Sequence, residues 1–213
     1  MKILSKDILS LGDSKFVNVD LINSINNYMT NKPKICGHAI KKNAWRTIEF
    51  GYVYEKLLEL VSEDKHESIL DFGCGRTPFA PYLKSQEDFS IEAYDSGIGW
   101  GDVNMKKIKA NNLQWNNVMN TAYGCDYAIS EFNKSYDIIT SVSVIEHIIS
   151  PVPVMEKIIN QSKYSIHTIY YHGGPGRVQF KYFDITSVFK FLGVWDEIKK
   201  IKKDVVLGVI IEN

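Results

Sequence analysis

The run Ser68-Ile-Leu-Asp71-Phe-Gly73-Cys74-Gly75-Arg-Thr-Pro78 constrains this chain more than any other. A short apolar stretch leads to an acid and then to two glycines one residue apart. Short apolar runs bounded by turn residues are buried strands. Glycines lack a Cβ, so the backbone at the end of this strand can turn sharply and lie against a ligand. In an open parallel sheet, ligands bind beyond the carboxyl ends of the strands, where the strand order reverses. The run therefore predicts a strand-to-helix turn at a binding crevice. A phosphate-cradling GxxxxGK[ST] loop is absent, and the third glycine of a dinucleotide GxGxxG is replaced by Pro78. A strand turn whose glycines serve geometry alone also accounts for the run.

The periodicity on either side of this run differs. Residues 1 to about 62 predict helices. Val17 to Met29 carries Val17, Leu21, Ile22, Ile25 and Met29 near helical spacing, and Asn31-Lys-Pro33 breaks it. Trp45 to Val61 reads as a long helix with Trp45, Ile48, Tyr52, Leu57, Leu58 and Val61 inward.

From Ser68 onward strands and helices alternate. Strands are predicted at Ser68–Phe72, Ser90–Tyr94, Ala122–Cys125, Asp137–Ser141 and Ser165–Tyr171, with helices starting at Pro78 and at Val152. Asp184 is placed to cap a helix Ile185–Leu192 that Gly193 ends. Two final strands, Val194–Ile201 and Val205–Glu212, are expected to turn at Lys203-Asp204. The alternation implies an α/β fold, a doubly wound and mostly parallel sheet covered on both faces. The expected division is an N-terminal helical cap, residues 1–62, on a core of residues 63–213.

Composition narrows the partners. Lys plus Arg and Asp plus Glu each total 25, so there is no general attraction to nucleic acid or anionic membrane. Lys199, Lys200, Lys202 and Lys203 cluster, and read as a solvated turn and strand edge. Cys36, Cys74 and Cys125 form no CxxC pair, which points to a reducing compartment and no zinc site. No apolar run approaches the ~20 residues of a membrane span. No signal-peptide pattern opens the chain, and a cytoplasmic location is the default expectation.

Taken with Asp95 and with Tyr136-Asp137-Ile-Ile-Thr-Ser141-Val142-Ser-Val-Ile-Glu146-His147, the glycine run resembles the class I S-adenosylmethionine-dependent methyltransferases. The resemblance covers about residues 68–150. It implies a Rossmann-like sheet of seven strands with a C-terminal antiparallel hairpin. It implies S-adenosyl-L-methionine as cofactor and S-adenosyl-L-homocysteine as product. Asp71, Gly73, Cys74 and Gly75 would form the loop at the cofactor's amino-acid end. Asp95 would accept the ribose hydroxyls, with Ser96 and Ile98 following toward the adenine and Trp100 close by. Asp126 would bond the adenine amino group and Tyr127 would supply a backbone N–H. Ser141 and Val142 would line the methionine part. The chain departs from the family's fuller DxGxGxG pattern, because Thr77 stands at the third glycine.

Methyl transfer from a sulfonium needs an aligned nucleophile and, for a hydroxyl acceptor, a base. Histidine suits that step, with an ordinary pKa of about 6.5. His147 follows the fourth predicted strand at the carboxyl end and is the first candidate, although the family often carries His there to brace a helix. His172, beside Gly173-Gly-Pro-Gly176-Arg177, is the second. His66 and His38 lie in flanking segments, and His167 within a strand is expected to pack. Asp184 is a helix cap or a base. Arg46, Glu49 and Tyr52 fall at helical steps, either over the cofactor or as a structural Arg46–Glu49 pair.

The expected acceptor is a sugar hydroxyl on a glycan of rhamnose type, since Trp45 to Leu83 resembles methyltransferases of surface-polysaccharide pathways. A small-molecule acceptor, a protein side chain, or a non-catalytic cofactor-binding module are the alternatives. A nucleic-acid partner is not expected, no metal cluster is evident, and a domain of a larger glycan-building protein is one setting for the chain.

Overall fold

The computed structural model describes residues 1–10, 16–31, 44–61, 68–74, 77, 79–86, 90–94, 134–148, 150–171 and 185–213. Its described strands are β1 (Lys2–Leu9), β2 (Ser68–Phe72), β3 (Ser90–Tyr94), β4 (Tyr136–Val142), β5 (Ser162–Tyr171) and β6 (Val205–Glu212). They form one sheet in the order β1-β6-β5-β4-β2-β3. Strands β5, β4, β2 and β3 run parallel, while β6 is antiparallel to both β5 and β1. The sheet is mixed, with six strands among the described residues. The predicted strand at Ala122–Cys125 lies outside them.

Helices cover both faces. On one side are α1 (Val19–Asn31), α2 (Ala44–Leu60) and α3 (Phe79–Lys84). They pack Ile22, Ile25, Ile48, Tyr52, Leu57, Phe79 and Leu83 against Ile69, Ile138, Ile166 and Ile210 of the sheet. On the other are α4 (Pro151–Asn160), α5 (Ile185–Phe191) and the short α6 (Trp195–Ile198), which pack Met155, Ile158, Phe189 and Ile198 against Leu70, Ile139, Ile169 and Leu207. Successive residues of a strand point to opposite faces, so Ile138 and Ile139 serve different cores.

Local chemistry sets the helix ends. The Asn18 side chain accepts the Leu21 N–H at 2.8 Å and caps α1. Pro151 opens α4, where its missing N–H costs nothing. After α5 the Val194 N–H reaches back to the Phe189 carbonyl at 2.8 Å, and Gly193 takes the left-handed φ of +67° that this closure needs. The predicted cap Asp184 lies outside the described residues.

Two expectations are corrected. Residues 2–9 are not helical but form the edge strand β1. A register shift between Ile3 and Ser5 leaves Leu4 40% exposed, which breaks the alternation that marks a strand. The C-terminal hairpin is also absent in its expected form. Trp195–Ile198 is helical, with Asp196 and Glu197 at its start and Lys199 just past its end, an order that suits the helix dipole. The place beside β6 is filled by β1. Flanked on both edges and both faces, β6 is buried from Val205 to Ile211.

The starts of β2 and β4 are fastened to each other. The Asp137 carboxylate accepts the Ser68 N–H at 2.7 Å and its hydroxyl at 2.8 Å. Those bonds hold its pKa below the ordinary carboxylate value. This clamp lies at the amino ends of the strands, away from the crevice.

Candidate active site

The strand order reverses at β2. The chain passes from β2 to β3 on one side and then to β4 on the other. A ligand crevice is therefore expected beyond Phe72, Tyr94 and Val142. At its floor, the Gly73 and Cys74 N–H groups both bond the Tyr94 carbonyl, at 2.7 and 3.0 Å. Gly73 has a φ of +72°, and a Cβ there would lie 2.5 Å from Cγ2 of Val144. Gly73 is thus demanded twice, by its backbone angle and by the side chain pressed against it. Phe72 and Tyr94 stack at 5.3 Å beneath the turn. Asp71 is buried, with Oδ1 accepting the Thr140 hydroxyl at 3.3 Å. Cys74 is also buried.

The turn after β4 carries most of the remaining chemistry. Ser143 has a φ of +52°, and its N–H donates to the Thr168 carbonyl at 3.0 Å. Its hydroxyl donates to Oε1 of Glu49, which reaches across from α2. Oε2 of Glu49 pairs with Arg46 Nη1 at 2.9 Å. Glu49 is only 1% exposed, and burial raises its pKa against the lowering effect of Arg46. Glu146, on the short 3-10 turn Ile145–His147, is equally enclosed. Its Oε1 accepts the Tyr170 N–H at 3.3 Å, while Oε2 has no hydrogen-bond partner among the described residues. Burial, and then the Glu49 charge, push its pKa up to about 8.

His147 stands on the exposed side of the same turn. Partial burial, and then the Arg46 guanidinium, lower its pKa. The half-buried Trp45 and Tyr170 rings meet edge to face at 5.2 Å and pack against the α2-side core.

Ser141 and Val142 take opposite faces of β4. Ser141 is fully buried, with its hydroxyl 2.7 Å from Nδ1 of His167. Its side chain faces the α4 side of the sheet. Val142 is half-buried and packs on the α2 side. His167 packs within β5, as its place in the strand predicts. The Arg46–Glu49 pair is formed. Gly75, Asp95, Ser96, Ile98, Trp100, Asp126, Tyr127, His172, Arg177 and Asp184 lie outside the described residues, as do His38 and His66. Sequence reasoning missed Glu146. Its only signal was a charged residue in an otherwise apolar run, Val142-Ser-Val-Ile-Glu146.

Residues 45–166 match the family model described as a methyltransferase domain, more than half of the 213 residues. The chain belongs to that family and is a class I S-adenosylmethionine-dependent methyltransferase. Its cofactor is S-adenosylmethionine. The described residues fit that molecule. The strand order reverses beside the Gly73 turn, the place where a fold of this kind takes its ligand, and the missing Cβ of Gly73 keeps that turn tight.

Solved structures are similar at low identity. An S-adenosylmethionine-dependent methyltransferase from Clostridium acetobutylicum is 17% identical, with a TM-score of 0.41 over 62% of this chain and 52% of that one. A Thermoplasma acidophilum protein is 12% identical, with a TM-score of 0.47 over 90% and 97%. The CurJ carbon methyltransferase is 13% identical, with a TM-score of 0.52 over 87% and 58%, and shares the fold. The chain thus spans about half the length of the Clostridium protein. No curated protein matches the sequence. Among the described residues, no helix is long and apolar enough to cross a membrane, and no cluster of three or more His, Cys, Asp or Glu is arranged to hold a metal.

Proposed function

We propose that this methyltransferase transfers the methyl group to a sugar hydroxyl, of rhamnose type, on a glycan, with His147 as general base. The observation that carries this reading is an imidazole on the turn directly after β4, at the carboxyl edge of the sheet. A hydroxyl acceptor must lose a proton as it attacks, whereas an already nucleophilic acceptor needs no such group. The half-buried Trp45 and Tyr170 rings, in edge-to-face contact, would offer apolar surface for the C–H side of a sugar. A net charge of zero suits an uncharged acceptor.

The cofactor supplies a methyl carbon already activated on sulfur. With the cofactor bound, the acceptor oxygen would take the methyl carbon as the carbon–sulfur bond breaks, and His147 would take the hydroxyl proton. The products are a methyl ether and S-adenosylhomocysteine. Alignment of oxygen and methyl carbon contributes several kcal/mol, up to about 7–11 in well-oriented cases. In this reading Asp71, Gly73, Cys74 and Gly75 form the amino-acid end of the cofactor site. Asp95, with Ser96, holds the ribose. Ile98, Asp126 and Tyr127 hold the adenine, and His172 is the second candidate base.

The test is transfer of labelled methyl from S-adenosylmethionine to a panel of rhamnose-type glycosides, amines and peptides. An O-methyl glycoside is expected. His147→Gln should lower kcat by about 10²–10⁴-fold while S-adenosylhomocysteine affinity holds. With the imidazole pKa lowered, wild-type kcat should reach half its maximum below the ordinary histidine value. Label found only on amines or peptides, or full kcat in His147→Gln, overturns the proposal.

A further inference from the structure

Two unfavourable features meet at one contact. Glu49 is a charged group sunk in a helix face whose neighbours Ile48, Phe50, Tyr52 and Val53 are buried apolar residues. Burying a carboxylate costs free energy unless it is paired and hydrogen-bonded. Ser143 holds a left-handed backbone angle that glycine would adopt with less strain. A glycine there would have no hydroxyl, and that hydroxyl is the group that reaches Glu49. An apolar residue at 49 and a glycine at 143 would satisfy packing alone.

The contact continues into the cofactor turn. Ser143 is followed by Val144, whose side chain fills the space where a Cβ of Gly73 would stand. Gly73 and Cys74 are in turn bonded to Tyr94 at the end of β3. We propose that Glu49 is a positioning residue, which ties α2 to the turn after β4 and, through Ser143 and Val144, sets the Gly73 turn for the cofactor. Arg46 fixes the second oxygen of Glu49, so the carboxylate cannot turn away from Ser143. The inference rests on the cofactor assignment and not on the choice of acceptor or base.

The test is calorimetric binding of S-adenosylhomocysteine to the full chain, with melting curves of the ligand-free protein. Glu49→Ala and Ser143→Ala should each weaken binding by about tenfold or more, and the double variant should be little worse than either, because both break one connection. Glu49→Gln keeps an acceptor for Ser143 and should stay within about threefold of wild type. Ser143→Ala leaves one oxygen of the buried Glu49 without its donor and should lower the melting temperature, so its affinity is measured well below the melting transition, where a loss of binding is not a loss of folding. If Glu49→Ala fails to fold, Ser143→Ala and Glu49→Gln carry the test.

Unchanged affinity in Ser143→Ala, or losses that simply add in the double variant, overturns the proposal. So does lowered melting at full affinity, which would leave Glu49 a structural residue only. Failure of the folded wild type to bind would overturn the cofactor assignment beneath it instead.

Discussion

Ser141 and His167 stand opposite each other on neighbouring parallel strands, and the Ser141 hydroxyl lies 2.7 Å from Nδ1 of the imidazole. Both side chains are fully enclosed, and Nε2 of His167 has no hydrogen-bond partner among the described residues. Burial lowers the His167 pKa to about 3. The residue is therefore a neutral packing element and not a base.

A neutral buried histidine makes stability depend on pH. Between about 6.5 and 3 the unfolded chain takes up a proton that the folded chain refuses. Its contribution to stability is thus complete above 6.5 and falls by about 1.4 kcal/mol per pH unit below it. Urea unfolding at pH 7 and pH 5 should show wild type losing stability relative to His167→Gln. Parallel changes in the two proteins would contradict the assignment.

Glu146 acts in the opposite sense. Its folded pKa of about 8 lies above the ordinary 4.5, so the folded chain keeps a proton that the unfolded chain has lost. Its contribution to stability is complete below 4.5 and is lost as pH rises through 8. Glu49 and Arg46 are the charged groups that act on it. Glu146→Gln imitates the protonated acid. Melting curves at pH 5, 6.5 and 8 should therefore show the variant gaining on wild type as pH rises. A constant difference across that range would contradict a raised pKa.

Gly73→Ala should damage both folding and cofactor binding. A left-handed angle in a non-glycine residue costs about 1–3 kcal/mol, and overpacking against Val144 adds about 1–3. Urea unfolding should show a loss of at least about 2 kcal/mol, with weaker S-adenosylhomocysteine binding. Adding Val144→Ala removes the collision but not the backbone strain, so it should restore only part of the loss. Complete recovery would show that the φ of Gly73 is not costly.

Much of the fold is legible because its signals are local. Leu21, Ile22 and Ile25 recur at helical spacing, and α1 follows. Ser68–Phe72 and Ser90–Tyr94 are apolar runs closed by turns, and both strands lie where the pattern puts them. Gly193 ends α5 because a left-handed residue is needed there whatever surrounds it. The failures are positions where a distant partner decides. Lys2–Leu9 becomes a strand because β6 offers an open edge, and its bulge at Leu4 hides the alternation. Val194–Ile201 carries apolar residues that suit either a strand or a helix turn, and with β1 in place the position beside β6 is already taken.

The candidate site divides in the same way. Asp71, Gly73 and the approach to His147 follow from short-range pattern, since a strand end and a tight turn are written in consecutive residues. The Glu49–Ser143 bond and the enclosure of Glu146 join residues 94 and 24 positions away from their partners. The sequence alone determined an α/β chain in which β2 ends in a tight glycine turn, because strand, turn and helix periods are local properties. Only the tertiary structure decided which carboxylates are buried, which histidine is sealed in the core and which strand lies beside β6. Burial and long-range pairing depend on what else occupies the space around a residue, and no stretch of sequence specifies that by itself.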